Sequence, residues 1–228
     1  INPIITKNST NINIRKLHND KFDSKKAALV GLNASLKTSI IPDEDIADLR
    51  NLVRDYYYFK DLQSSVVLKL NAELKVSFPA YLKVFSKVTT QSSLKLLGAY
   101  PLARDMLAAP EEELVGIIRS TARFGETYAL SRYEAIPEAA KDSAIFGRDL
   151  PSHAVRIRLY IESYQTYQKH LDTLLLALHE AVDRLHGTPV YDRICLLQSL
   201  RGVGFLSAVV LMAEMGDFDL FSSPKKLY

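Results

Sequence analysis

Two stretches of this chain place apolar residues at alternating steps of three and four, and that repeat constrains the fold more than any other feature. In the first, Leu49, Leu52, Tyr56, Phe59, Gln63, Val66 and Leu70 step by 3, 4, 3, 4, 3, 4. In the second, Ile161, Tyr164, Gln168, Leu171, Leu175, Leu178, Val182 and Leu185 step in the same way. A mean step of 3.5 keeps one face of a helix apolar along its length, as in a coiled-coil seam. The first helix is predicted to start at Pro42-Asp43-Glu44-Asp45, where acidic residues complement the helix dipole, and to run to about Val76, before Phe78-Pro79. The second follows Pro151-Ser152 and is ended by Gly187 and Pro189. Two such helices with a helical insertion between them predict an antiparallel coiled coil, pairing between two copies being the alternative. Gln63 and Gln168 each interrupt one seam and are expected to meet across it.

The remaining segments are read around that frame. Residues 1–18 mix Asn, Ser and Thr with isolated Ile, as in the end of a strand and a polar loop. From Asp20 to about Leu36, Phe22, Ala27, Ala28, Leu29, Leu32 and Leu36 suit a helix. Residues 79–150 read as short helices separated by Gly and Pro, among them Pro101–Ala108 and Glu111–Arg123. Tyr191–Leu200 is amphipathic, Arg201-Gly202-Val203-Gly204 is a glycine turn, and Phe205–Met215 is an apolar helix closing at Gly216. The expected divisions are residues 1–40, 41–188 and 189–228. Both ends read as cuts within elements: Ile1-Asn2-Pro3 as a strand exit, and Ser223-Pro224 as a helix start.

Composition excludes some functions. The net charge is only +3, but residues 1–37 hold Lys7, Arg15, Lys16, Lys21, Lys25, Lys26 and Lys37 against Asp20 and Asp23 alone. A local excess of this kind attracts phosphates, and a solvated loop is the commoner reason for one. The single cysteine, Cys195, excludes an internal disulfide framework and fits a reducing cytosol. It has no neighbouring base to mark it as a nucleophile and is expected to be a small buried hydrophobe. No long apolar run suggests a membrane partner, so a soluble, cytoplasmic protein is expected.

Four motifs bear on chemistry. Asp20-Lys21-Phe22-Asp23 sets two carboxylates on one face of a helical turn, where they could share a divalent cation; an N-cap with a first-turn acid is the plainer explanation. Leu200-Arg201-Gly202-Val203-Gly204, with Ala208 beyond, matches the helix-hairpin-helix pattern. In that pattern Gly202 and Gly204 let backbone approach a nucleic-acid phosphate, and a tight turn between packed helices is the alternative. His179-Glu180-Ala181-Val182-Asp183 imitates a zinc helix, but Leu178, Val182 and Leu185 hold the seam, which leaves His179 and His186 at its flank. Tyr56-Tyr57-Tyr58-Phe59 and Tyr160, Tyr164 and Tyr167 could stack on bases, and at helical spacing are more often packing residues.

The order of these motifs carries a resemblance. The run Ile1-Asn2-Pro3, Lys7-Asn8, Arg15-Lys16, Asp20-Lys21-Phe22-Asp23-Ser24 and Ala27 resembles the end of the RuvC-like domain of the insertion sequence 110/116/902 transposases. There a strand ending in N-P leads through a basic loop to K-T-D-x-x-D-A. The run Leu197-Gln198-Ser199-Leu200-Arg201-Gly202-Val203-Gly204, Ala208, Ala213-Glu214-Met215-Gly216-Asp217, Phe221 and Lys226-Leu227-Tyr228 resembles the opening of that family's C-terminal domain. Its usual form is L-x-S-I-P-G-I-G, an alanine-rich helix ending A-E-I-G-D, then F and A-Y-x-G-L. This chain departs from it at His18-Asn19, Ser24 and Arg201, none of which removes a candidate ligand.

The resemblance implies a mainly α chain. Its parts would be the C-terminal edge of a RuvC-like (RNase H-like) α/β domain, long antiparallel coiled-coil helices with a helical insertion, and a helix-hairpin-helix-like start of a C-terminal domain. It implies a DNA transposase in which Asp20 and Asp23 are the last two carboxylates of a magnesium-binding DEDD site. The first Asp and the Glu would come from strands before Ile1. A serine after Tyr228 would attack the phosphodiester, so residues 1–228 alone are expected to be inactive. Lys7, Arg15, Lys16, Lys25, Lys26, Gly202 and Gly204 are the candidate nucleic-acid contacts. The implied partners are element-end and target DNA, a guide RNA and further copies of the chain, with no membrane. The alternatives are a non-enzymatic helix-hairpin-helix binding module and a coiled-coil oligomerisation protein.

Overall fold

The computed structural model describes residues 43–121 and 125–216, together with Ser24 and Ala28. The chain divides into two units, residues 1–47 and 48–228. Ser24 and Ala28 have helical backbone, inside the helix expected from Asp20 to Leu36. The RuvC-like edge expected over residues 1–40 otherwise lies outside the described residues, as do Asp20, Asp23, Lys7, Arg15, Lys16, Lys25 and Lys26.

Every regular element among the described residues is a helix. In chain order they are α1 (Glu44–Ser77), α2 (Tyr81–Val84), α3 (Gln91–Ala99), α4 (Ala103–Ala108), α5 (Glu111–Thr121), α6 (Gly125–Phe146), α7 (Pro151–Arg184), α8 (Pro189–Ser199) and α9 (Phe205–Met215). The two seam helices, α1 and α7, are each 34 residues long. Glu44 and Asp45 open α1 and Lys75 closes it, each sign facing the opposite end of the dipole. Pro151 begins α7 at a position where its missing N–H costs nothing.

The two helices run antiparallel, as the repeat predicts. Contacts join Asp48 to Arg184, Phe59 to Tyr167 and His170, Gln63 to Gln168, and Glu73 to Arg156. Numbers rise along one helix as they fall along the other. Gln63 Nε2 donates to Gln168 Oε1 at 2.9 Å, and Gln168 passes the chain on to Asp172 at 3.0 Å. The interrupted steps of the two seams therefore meet. A polar pair at one level gives a seam of otherwise interchangeable apolar contacts a preferred register.

The buried face departs from the sequence repeat at both ends. Leu49 and Val53 are buried at one end of α1, Leu70 and Leu74 at the other, while Leu52, Tyr56, Phe59 and Val66 are half-buried. A straight helix turns every 3.6 residues, so a strict 3.5 repeat drifts off its line of contact. Further helices then cover the stripe that drift exposes. At one end Leu49, Val53, Leu178, Ala181 and Val182 share a core with Ile194, Ala208, Val209 and Met212. At the other, Leu70 and Leu74 join Phe78, Tyr81, Leu96, Leu97, Met106, Ile118, Ile136 and Ile157.

The insertion of α2–α6 is organised around Tyr81, which is fully buried. Its ring packs against Phe78 and Phe85, with centroids 5.1 and 5.6 Å away. Its hydroxyl lies 3.1 Å from Ser93 Oγ and 3.3 Å from Ser93 O, and burial pushes its ionisation well above the ordinary tyrosine range. The segment read as short helices includes α6, which is 22 residues long and keeps Pro137 inside it. An internal proline forfeits a backbone bond and crowds the preceding turn, at a cost of about 3 kcal/mol. Ile136, Ala139 and Ala140, on either side of it, are buried in the core and offset that cost.

The insertion returns to the hairpin at Gly147. Its N–H donates to Ser143 O at 2.6 Å, and the N–H of Arg148 donates to Val76 O near the end of α1 at 2.8 Å. Close by, the buried Glu73 carboxylate accepts from His153 Nδ1 and lies 2.7 Å from Arg156 Nη2. No helix among the described residues is long and apolar enough to cross a membrane.

Candidate nucleic-acid interface

The hairpin α8–turn–α9 carries the two candidate contact residues that the structure describes, Gly202 and Gly204. Thr188 caps α8: its hydroxyl oxygen accepts from the Tyr191 N–H, and Pro189 takes the first helical position. Ile194 is buried, and Val190, Tyr191 and Leu197 pack against the same core, so one face of α8 is anchored. At its end Leu200 is extended, with φ −74° and ψ 133°, which breaks the helix.

The turn closes when the Val203 N–H donates to Leu200 O at 3.1 Å. Gly202 is the third residue of that four-residue turn and has φ +92°. A residue with a Cβ is strained there, so glycine is required by the backbone. Gly204 differs. Its φ of −82° and ψ of 171° suit any residue, and a Cβ built on it would meet nothing within 4 Å. Gly204 is the N-cap of α9 and supplies no side-chain cap. Serine or aspartate would stabilise that position over glycine by only about a few tenths of a kcal/mol, since glycine is itself a favoured N-cap residue. Neither backbone nor packing within the described residues demands glycine at 204.

The turn itself is exposed at Arg201, Gly202 and Gly204, while its flanks are tied down. Val203, Phe205 and Leu206 pack on the core, and Phe205 stacks flat on His179 of α7, with centroids 3.7 Å apart and planes 6° apart. Ala208, Val209, Met212 and Ala213 bury the inner face of α9, where alanine lets the helix approach closely. The first backbone N–H groups of α9 follow directly on the exposed Gly204. That is an arrangement that can accept a phosphate oxygen, since the positive end of a helix favours negative charge.

His179 and His186 are exposed, at the flank of the seam as expected, and each lies against an aromatic ring, Phe205 and Tyr191 respectively. No group of three or more His, Cys, Asp or Glu side chains among the described residues could hold a metal ion. Cys195, expected to be buried, is exposed. Ile194 is the α8 residue that enters the core, and its neighbour is turned about 100° away from that face. Cys195 lies instead beside Tyr191, whose hydroxyl it pushes up, first by charge and then by the hydrogen bond between them. The tyrosines divide: Tyr160 and Tyr164 pack on the insertion core, whereas Tyr57 and Tyr58 stay exposed. Arg50 and Arg54, which reach the end of α9, and the Glu73–His153–Arg156 cluster were not legible as sites. Their partners are distant in sequence.

No family model, curated protein or solved structure matches this chain.

Proposed function

We propose that this chain is the connecting part of a DNA transposase resembling the insertion sequence 110/116/902 group. Residues 1–40 would be the edge of its RuvC-like domain, 41–188 its coiled coil with insertion, and 189–228 the start of its serine-bearing domain. One observation carries most of the weight. An exposed glycine turn, uncapped and uncrowded at Gly204, opens α9 at the end of a long antiparallel helix pair, in the order the resemblance requires. The turn alone fits a non-enzymatic nucleic-acid-binding module equally well, and the acidic residues separate the two readings.

In the transposase reading Asp20 and Asp23 would hold magnesium, with hard carboxylate oxygens three residues apart. The ion would supply charge neutralisation at the phosphodiester when bound. Lys7, Arg15, Lys16, Lys25 and Lys26 would neutralise backbone phosphates, and Gly202 and Gly204 would allow backbone N–H groups to reach one. Element-end and target DNA are the partners, with a guide RNA and further copies of the protein by resemblance.

The test is recombination of element-end DNA by the full-length protein with magnesium, compared with Asp20→Ala and Asp23→Ala. A metal contributing several kcal/mol of transition-state stabilisation predicts a loss of about a hundredfold or more in each variant. Circular dichroism and DNA binding should be retained. Recombination unaffected by both substitutions would remove these aspartates from the site and favour the binding module.

A further inference from the structure

The Ala213-Glu214-Met215-Gly216 run ends α9, and its Glu214 is far in sequence from the residues it meets. Arg50 and Arg54 stand one helical turn apart on α1, next to Leu49 and Val53, which enter the core shared with α9. Both guanidinium groups reach the last turn of α9. Arg54 Nε donates to Glu214 Oε1 and Arg54 Nη2 to Oε2, each at 2.9 Å, a parallel two-point fork. Arg50 Nε donates to Ala213 O at 2.7 Å, and its Nη2 lies 3.4 Å from Glu214 O. The last carbonyls of a helix have no partner within it and carry the negative end of the dipole, so Arg50 satisfies both needs.

These contacts do little to hold α9 in place. Glu214 and Arg54 are both exposed, and an exposed ion pair adds little stability. Burial of Val209, Met212 and the two alanines does most of the holding, and burial is non-directional. A guanidinium–carboxylate fork has one geometry. It adds a directional contact, at the last turn of α9, to packing that has no direction of its own.

We propose that Glu214, clasped by Arg50 and Arg54, is a positioning residue for strand exchange. The clasp sets the direction in which the chain leaves α9, and so where the serine-bearing module stands relative to the helix pair. This rests on the transposase reading above.

The experiment uses the full-length protein with Glu214→Arg, Arg54→Glu, the double swap and Arg54→Lys. It measures element-end DNA binding, single-turnover strand exchange and hydrogen exchange of the α9 amides. Each charge reversal should keep DNA affinity within about twofold and lose strand exchange by about tenfold or more, since small misplacement of reacting groups is costly. The swap rebuilds the pair while Arg50 keeps its carbonyls, and should recover most of the rate. Arg54→Lys keeps the charge without the fork and should fall between. Should a reversal unfold α9, visible as lost amide protection, Arg54→Lys decides: a reduced rate supports the clasp and an unchanged rate overturns it. Strand exchange at the unaltered rate in both reversals, or a swap that recovers nothing while α9 stays protected, overturns the positioning role alone. Absence of strand exchange by the unaltered protein overturns the transposase reading together with the role built on it.

Discussion

Gly147→Ala is the sharpest test of how the insertion is joined to the helix pair. A Cβ at this position would lie 2.7 Å from Ser143 O, 2.7 Å from Ser77 O and 3.2 Å from Pro79 Cδ. Two of these atoms are backbone carbonyl oxygens, one on α6 and one ending α1, so no side-chain rotation relieves the clash. Either the Gly147 N–H to Ser143 O bond or the Arg148 N–H to Val76 O bond must lengthen, and both close this junction. Forcing an extra carbon into a packed site costs about 1–3 kcal/mol. In a domain of this size 1 kcal/mol moves the melting temperature by about 2–4 °C, so a fall of roughly 2–12 °C is expected. Gly116→Ala is the control. It lies exposed within α5 with nothing within 4 Å of its Cβ position, and alanine there should stabilise by about 0.5–1 kcal/mol through helix propensity. Thermal and urea denaturation of the two variants should therefore move in opposite directions. A Gly147→Ala protein as stable as the parent would refute the steric argument and the close approach of α1 and α6 on which it rests.

Three further predictions address other parts of the molecule. Gly204→Ser should leave stability unchanged or raise it by only about a few tenths of a kcal/mol by capping α9, yet weaken nucleic-acid binding; Gly202→Ala should lower stability because of its φ of +92°. Melting curves with a fluorescence-anisotropy titration of duplex DNA check both, and undiminished affinity in Gly204→Ser would count against phosphate contact there. Arg156→Ala leaves the buried Glu73 carboxylate with His153 alone and should cost about 1–3 kcal/mol in urea denaturation, less than the ~3–5 kcal/mol of a fully buried pair because Arg156 is half-exposed. Arg54, first by hydrogen bonding and then by charge, holds the Glu214 carboxyl below its ordinary value. A carboxyl with a lowered folded-state pKa contributes stability that is complete above its unfolded value and is lost as pH falls through the lowered one. Stability measured from neutral to acid pH should accordingly fall less steeply in Glu214→Gln than in the parent.

Much of the helical frame could be read from local pattern. Steps of three and four, acidic residues at Glu44 and Asp45, Pro151 at a first turn and Gly216 after Met215 are short-range signals, and the helix ends lie within a residue or two of where they place them. The meeting of Gln63 with Gln168 was legible for the same reason, since each is the polar break in its own repeat. Pro137 inside α6 was not, because a proline reads as a break until the burial that compensates for it is known. Cys195 was misjudged on general hydrophobicity when only the face taken by Ile194 decided which α8 residue turned inward.

What the amino-acid order determined alone is therefore the two long seam helices and a glycine turn at Arg201-Gly202-Val203-Gly204 before an apolar helix, while the antiparallel pairing and the positive φ of Gly202 came with the structure. Tertiary structure also decided three things: that Glu73 is buried against His153 and Arg156, that Gly147 lies between two carbonyl oxygens, and that Glu214 is gripped by Arg50 and Arg54 from 160 or so positions away. Periodicity and capping act within a few residues along one helix, so they leave a trace in any window of sequence. A contact between distant residues depends on how whole helices drift and cross, which no window contains.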